Sequence, residues 1–196
     1  MAIDTKTLLN LRETTGAGMS DCKAALDESN GDIDKAIEIL RKKGALKAAK
    51  KSAERTASQG IVESYIHGNG SVGVLVKLLC ETDFVARTDD FKNLAHDICM
   101  QIAAANPSYL KPEDVPTTEL DKEKEIYAEQ LKAEGKPENV MEKILEGKVQ
   151  KYYEQVCLLK QPFIKDDKIT IEKLIEQSIA KIGEKIEIAA FIRYQI

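Results

Sequence analysis

The chain is poor in the groups on which enzyme chemistry is usually built. Its 196 residues hold only two histidines, His67 beside a turn and His96 on the polar side of a helical stretch, and neither has a nucleophile near it in sequence. No G-x-x-x-x-G-K-S/T loop, no G-x-G-x-x-G and no H-E-x-x-H occurs. The many carboxylates fall on helix faces expected to meet water. Together these absences argue against an enzyme and for a binding protein with projecting elements. Cysteine is sparse and scattered: Cys22, Cys80, Cys99 and Cys157 form no C-x-x-C pair and have no neighbouring histidine, so core thiols are expected rather than a zinc site. No apolar run approaches the ~20 residues of a membrane span. The opening Met-Ala-Ile-Asp-Thr-Lys lacks the long apolar region of a signal peptide. A cytoplasmic location is expected. Excess charge is also lacking: 29 basic residues face 33 acidic ones, for a net charge of −4 and a pI near 5.4. That balance speaks against a general binder of nucleic acid or anionic membrane.

What is present is enough hydrophobic content, 43%, for one good core, or a core and a small satellite domain. Leu8, Leu9 and Leu11 open a short helix that Gly16-Ala17-Gly18 ends. Ser20 is expected to cap a second, with Cys22, Ala25 and Leu26 inward, stopping at Asn30-Gly31. Asp32 caps a third, with Ile33, Ala36, Ile37 and Leu40 at helical spacing before Gly44. Met19, after the Gly-Ala-Gly turn, is either an exposed contact or a gap-filling core methionine. Between Arg41 and Arg55 come seven basic residues (Arg41, Lys42, Lys43, Lys47, Lys50, Lys51, Arg55) among alanines, the pattern of a basic linker helix. It lacks the interleaved aromatics of a single-strand binding surface.

Gly60–His67, a Gly68-Asn69-Gly70-Ser71 turn and Val72–Cys80 form a β-hairpin signature. Val74, Val76, Leu78 and Cys80 share one face. A third strand alternates Ile186, Ile188, Ala190, Ile192 and Tyr194 against Glu187, Ala189, Phe191 and Arg193. Helices are expected over 89–105, about 118–134, 137 to about 156, and 170–182, stopped by Asn106-Pro107, Gly135 and Gly183. The second and third of these read as a helical hairpin over about 118–156, with Gln161-Pro162-Phe163-Ile164-Lys165 crossing back as an irregular packing segment. The grouping is α+β: a three-helix N-terminal domain with the basic linker over 1–57, then an antiparallel sheet core with helices over 58–196.

Glu81-Thr82-Asp83-Phe84-Val85-Ala86-Arg87 puts an aromatic ring at the corner between a buried strand and a helix. Phe84 there either folds back as a cap on its own core or projects as a wedge for a partner.

The run Leu11-Arg12-Glu13-Thr14-Thr15-Gly16-Ala17-Gly18-Met19-Ser20-Asp21-Cys22-Lys23-Ala24-Ala25-Leu26, then Asn30-Gly31-Asp32 and Thr82-Asp83-Phe84-Val85-Ala86-Arg87, resembles the elongation factor Ts family of translation factors. The likeness continues through Lys111-Pro112-Glu113-Asp114-Val115, Gly135-Lys136-Pro137, Gln161-Pro162-Phe163 and Phe191-Ile192-Arg193, and so spans the chain. It implies a ubiquitin-associated-like N-terminal domain and a non-enzymatic factor, without cofactor or metal, that promotes GDP release from elongation factor Tu. By the same resemblance, Phe84 wedges near the partner's magnesium and nucleotide site, with Thr82, Asp83 and Val85 shaping the corner. Arg12, Gly16, Ala17, Gly18 and Met19 are expected to grip the same nucleotide domain. The chain resembles the short form of the family, with a single core. A small sheet with an apolar edge or face then suggests a homodimer and a two-to-two complex, with no membrane and no direct nucleic-acid contact. Two rival readings are a non-catalytic adaptor and an RNA binder using the basic stretch.

Overall fold

The computed structural model describes residues 4–135 and 137–196, with the backbone alone at residues 45, 47–53 and 139. In order, the elements are α1 (Thr5–Thr15), α2 (Met19–Glu28), α3 (Ile33–Glu54), β1 (Gln59–His67), β2 (Val72–Cys80), α4 (Asp83–Ala86), α5 (Asp89–Ala105), α6 (Thr117–Ala133), α7 (Glu138–Val156), β3 (Pro162–Phe163), β4 (Asp166–Thr170), α8 (Ile171–Ile182) and β5 (Glu187–Gln195). The class is α+β: a small antiparallel sheet of order β1-β2-β5 and a two-stranded β3–β4 sheet accompany the helices. The chain divides into two compact units. One runs to Ile61 and takes in Leu78–Leu94 and Lys173–Ala189; the other comprises Val62–Lys77, Ala95–Glu172 and Ala190–Ile196.

In the first unit, α1–α3 form a bundle around Leu11, Cys22, Ala25, Leu26, Ala36 and Leu40. Helix α1 stops because Gly16 takes φ 65° and returns its N–H to the Arg12 carbonyl at 2.8 Å. The α2 cap is Gly18 rather than Ser20, which lies inside the first turn; Asp21 supplies the acidic group favoured at that end. Asp32 caps α3 as expected, accepting from the Lys35 N–H at 3.1 Å, and that bond holds its carboxyl below the usual range. Gly44 does not end α3, which runs on to Glu54 and absorbs the expected linker. A glycine inside a helix costs about 1 kcal/mol. Here it allows close approach, since a Cβ at position 44 would lie 3.3 Å from the Ala180 Cβ on α8. The side chains of Lys47, Lys50 and Lys51 lie outside the described residues, as does Lys136.

In the second unit, α6 and α7 form the expected helical hairpin. At its base Val115, Tyr152 and Cys157 are buried together, with Tyr109, Leu120, Tyr127, Tyr153 and Val156 against them. The Lys148 ammonium stands 5.2 Å from the centre of the Tyr127 ring and donates to Gln130 Oε1 at 3.1 Å, which accounts for a lysine in an otherwise apolar seam. The 161–165 segment is irregular only in part. Pro162–Phe163 pair antiparallel with Asp166–Thr170, and the Gln161 and Phe163 side chains are buried.

Strand β2 buries Val72, Val74, Val76, Leu78 and Cys80, the face its alternation predicts. Strand β5 departs from strict alternation. Ile186 and Ile188 are buried, but from Phe191 onward the phase has changed, leaving Ile192 and Tyr194 exposed and Phe191 and Arg193 half-buried. Arg193 faces α5, where its guanidinium donates to the Ala103 carbonyl at 3.2 and 3.3 Å. Glu63 of β1 likewise meets His96 of α5, at 3.3 Å. Val62, Ile66, Leu75, Ile192 and Tyr194 therefore lie on the opposite side of the sheet, exposed.

Candidate functional site

The corner after β2 is built from its hydrogen-bonding groups. Thr82 has extended backbone angles and caps the single-turn helix α4: its Oγ1 accepts from the Val85 N–H at 3.3 Å. The Thr82 carbonyl accepts from the Ala86 N–H at 3.3 Å and from the Cys80 Sγ at 3.1 Å. Val85 and Ala86 turn inward and are buried. Thr88 then accepts from the Phe91 N–H and donates to the Val85 carbonyl, so the next helix begins at once. With positions 85 and 86 committed inward, the residue before them faces out. Phe84 is 77% exposed. Of the two outcomes open for this ring in the sequence, folding back and projecting, the structure has the projecting one. Asp83 beside it is exposed and paired with Arg87 at 2.8 Å, one helical turn on.

The flanks of this corner are tied down by residues from the far end of the sequence. The Glu184 carboxylate accepts from the Thr82 hydroxyl at 2.7 Å, the Thr82 N–H at 3.0 Å and the Glu81 N–H at 3.1 Å. In return the Glu81 carboxylate accepts from the Lys185 N–H at 2.6 Å and from Arg55 at 3.1 and 3.2 Å. None of Arg55, Glu81 and Glu184 was singled out as a site residue from sequence. The only local signal was Gly183, read as the stop of the helix immediately before Glu184.

The second group, Arg12, Gly16, Ala17, Gly18 and Met19, occupies the α1–α2 turn in the same compact unit. Arg12 points to solvent, and Met19 is 38% exposed, so it is not the gap-filling core methionine of the two alternatives. Ala17 is half-buried against the bundle core, and its carbonyl accepts from the Cys22 thiol at 3.7 Å. Helix α8 touches both regions through Lys181. A Cβ at Gly16 would lie 3.2 Å from the Lys181 Cγ, and the Lys181 ammonium bonds Asp90 at 2.8 Å, at the start of α5. A cavity of about 660 Å³ lies between the 13–18 turn and α8, with charges of both signs on its walls.

The four cysteines are unbonded to one another and buried, as expected of core thiols. Burial pushes the Cys99 thiol up to about 12 and Cys157 up to about 11. Among the described residues no helix is long and apolar enough to cross a membrane.

The corner thus presents one exposed phenylalanine on a frame held by hydrogen bonds. Comparison with known sequences agrees with the resemblance carried by the motifs. The family described as Elongation factor TS matches residues 19–196. Elongation factor Ts of Carboxydothermus hydrogenoformans is 57% identical over 194 residues, covering 99% of this chain and 89% of that protein. The Fervidobacterium nodosum protein of the same name is 56% identical over 196 residues, covering 100% and 99%. That of Caldanaerobacter subterraneus subsp. tengcongensis is 55% identical over 193 residues, covering 98% and 96%. Identity of this order over nearly the whole of each chain leaves one assignment: the chain belongs to the elongation factor Ts family.

Proposed function

We propose that this chain promotes guanine-nucleotide exchange on elongation factor Tu, releasing GDP so that GTP can load, and that Phe84 is the wedge that does so. The observation that carries the reading is the ring of Phe84, exposed at 77% on a corner whose neighbours Val85 and Ala86 are buried. A side chain so placed gains little from its own fold and is available to a partner. Burying it there is worth about 1.5–3 kcal/mol, one to two powers of ten in affinity. The factor makes and breaks no covalent bond. It stabilises a distorted, empty nucleotide site, and nucleotide must weaken its grip by the same free energy by which it weakens nucleotide. Asp83 stands beside the ring near the partner's magnesium, Thr82 and Val85 shape the corner, and Arg12 with the Gly16-Ala17-Gly18-Met19 turn grips the same nucleotide domain. The 1–57 region acts as that gripping module, and the sheet and hairpin of 58–196 hold a second domain of the partner. The setting is the cytoplasm.

The exposed apolar face of the sheet supports a further part of the reading: two copies pair through it, giving a two-to-two complex with elongation factor Tu. The test of the wedge is release of a fluorescent GDP analogue from elongation factor Tu. The wild type should accelerate release catalytically, and Phe84→Ala should still bind but accelerate at least about tenfold less. Equal acceleration by both proteins would leave exchange standing and remove the wedge.

A further inference from the structure

The corner that carries Phe84 does not hold itself. A helix of four residues lies far below the length at which a helix is stable alone, and the exposed Asp83–Arg87 pair adds little in water. What fixes the backbone just ahead of it is a carboxylate from a residue 102 positions later in the chain. Glu184 takes both consecutive N–H groups of Glu81 and Thr82 on one oxygen and the Thr82 hydroxyl on the other. The hydroxyl has one proton. Because it is given to Glu184, the oxygen's lone pairs are left for the Val85 N–H, which is the bond that starts α4. The second carboxylate closes the clasp from the other side, with Glu81 holding the Lys185 N–H and Arg55.

We infer that Glu184 is a positioning residue for Phe84: it fixes the Glu81-Thr82 backbone and the orientation of the Thr82 hydroxyl, so that α4 presents the ring in one direction. Its action is indirect, through Thr82. Without it the corner samples several orientations, and the cost of choosing one falls on the encounter with the partner. The inference rests on the reading of Phe84 as the wedge, and two measurements keep the two apart.

The first uses the chain alone. Amide hydrogen exchange at Glu81 and Thr82 should quicken at least about tenfold in Glu184→Ala, while the amides of Leu26 and Ile98 keep their protection and so report an intact fold. The second is a double-mutant cycle in GDP-analogue release from elongation factor Tu. Glu184→Ala should slow stimulated release about tenfold in the wild-type background and less than about twofold in Phe84→Ala. Glu184→Gln, whose single carbonyl oxygen can accept from the two N–H groups or from the hydroxyl but not from all three, should recover only part of the loss. Unchanged protection at Glu81 and Thr82 overturns the inference, and so does an equal fractional loss with and without Phe84. A Phe84→Ala protein as active as wild type would bring down the wedge alone; amide exchange would then still decide whether Glu184 fixes the corner.

Discussion

Glu119 shows how a single charged residue can organise its surroundings from a half-exposed position. Its carboxylate accepts the Tyr109 hydroxyl at 2.6 Å and also the Tyr152 hydroxyl. These two bonds, that from Tyr109 foremost, hold its carboxyl below the ordinary 4.5. Burial, then the hydrogen bond to Glu119, pushes the Tyr152 hydroxyl up. A carboxyl lowered on folding contributes stability that is complete above its unfolded value and is lost as pH falls through its folded one. Wild type should therefore be more stable than Glu119→Gln at neutral pH, with the difference shrinking below about pH 4.5. Urea denaturation of both proteins at a series of pH values reads this directly, and a gap that persisted into acid would refute it. Such residue-level bonds are legible in sequence only when the partners are near. Asp32 capping α3 through Lys35 was readable because cap and amide are three positions apart. Glu184 was not, because nothing in a local pattern says which of 33 acidic residues will meet Thr82.

At the scale of elements, the periodicity of α5, the β1–β2 hairpin and the α6–α7 pair was enough to locate them, because each carries its own turn or stop signal. The misreadings fell where tertiary packing overrides a local rule. Gly44 looks like a helix end and serves as a close contact with α8. Strand β5 looks strictly alternating, yet it changes phase to bring Arg193 to α5. The β3–β4 sheet was missed because two paired residues leave almost no pattern. What holds it in place is Gln101, 1% exposed, whose amide donates to Gln161 Oε1 at 3.1 Å and to the Pro162 carbonyl at 3.2 Å, and accepts from the Ile164 N–H at 2.9 Å. Gln101→Leu removes three bonds and leaves buried polar groups without that partner. A loss of about 1–3 kcal/mol is expected. The denaturation midpoint gives the magnitude, and faster exchange of the Ile164 amide gives the location. A midpoint equal to wild type would mean that water replaces the glutamine without cost.

At the scale of the whole molecule, the sheet carries an exposed apolar side. Its outward side carries Val62 and Ile66 of β1, Leu75 of β2, and Ile192 and Tyr194 of β5, all exposed. The side chain of Ile66 lies over Gly73, so the patch spans neighbouring strands. A contiguous apolar face of this kind is a usual surface for self-association. Light scattering at micromolar concentration should give the mass of a dimer for the wild type. Leu75→Lys, which puts a charge on the central strand of the patch, should shift it to the monomer without loss of helical circular dichroism. A monomeric wild type would sink the pairing. The bundle core and the sheet were within reach of the sequence; the free face was not in full, because Ile192 and Tyr194 read as sharing the buried face of Ile186 and Ile188. The division of contacts between two units, each assembled from three separate stretches, was not, because nothing local marks the joins.

That interleaving sets an order in time. As the chain leaves the ribosome, the helices up to Glu54 and the Leu78–Leu94 stretch that carries Phe84 emerge first, yet the unit they belong to stays open until Lys173–Ala189 has been made. Contacts spanning about a hundred positions are the slow ones in folding. Thr82 is synthesised long before the carboxylate that clasps it. A nascent chain interrupted before Glu184 thus has Thr82 and Phe84 but not the carboxylate that holds the Glu81 and Thr82 amides, and that corner is completed about a hundred residues after it is made.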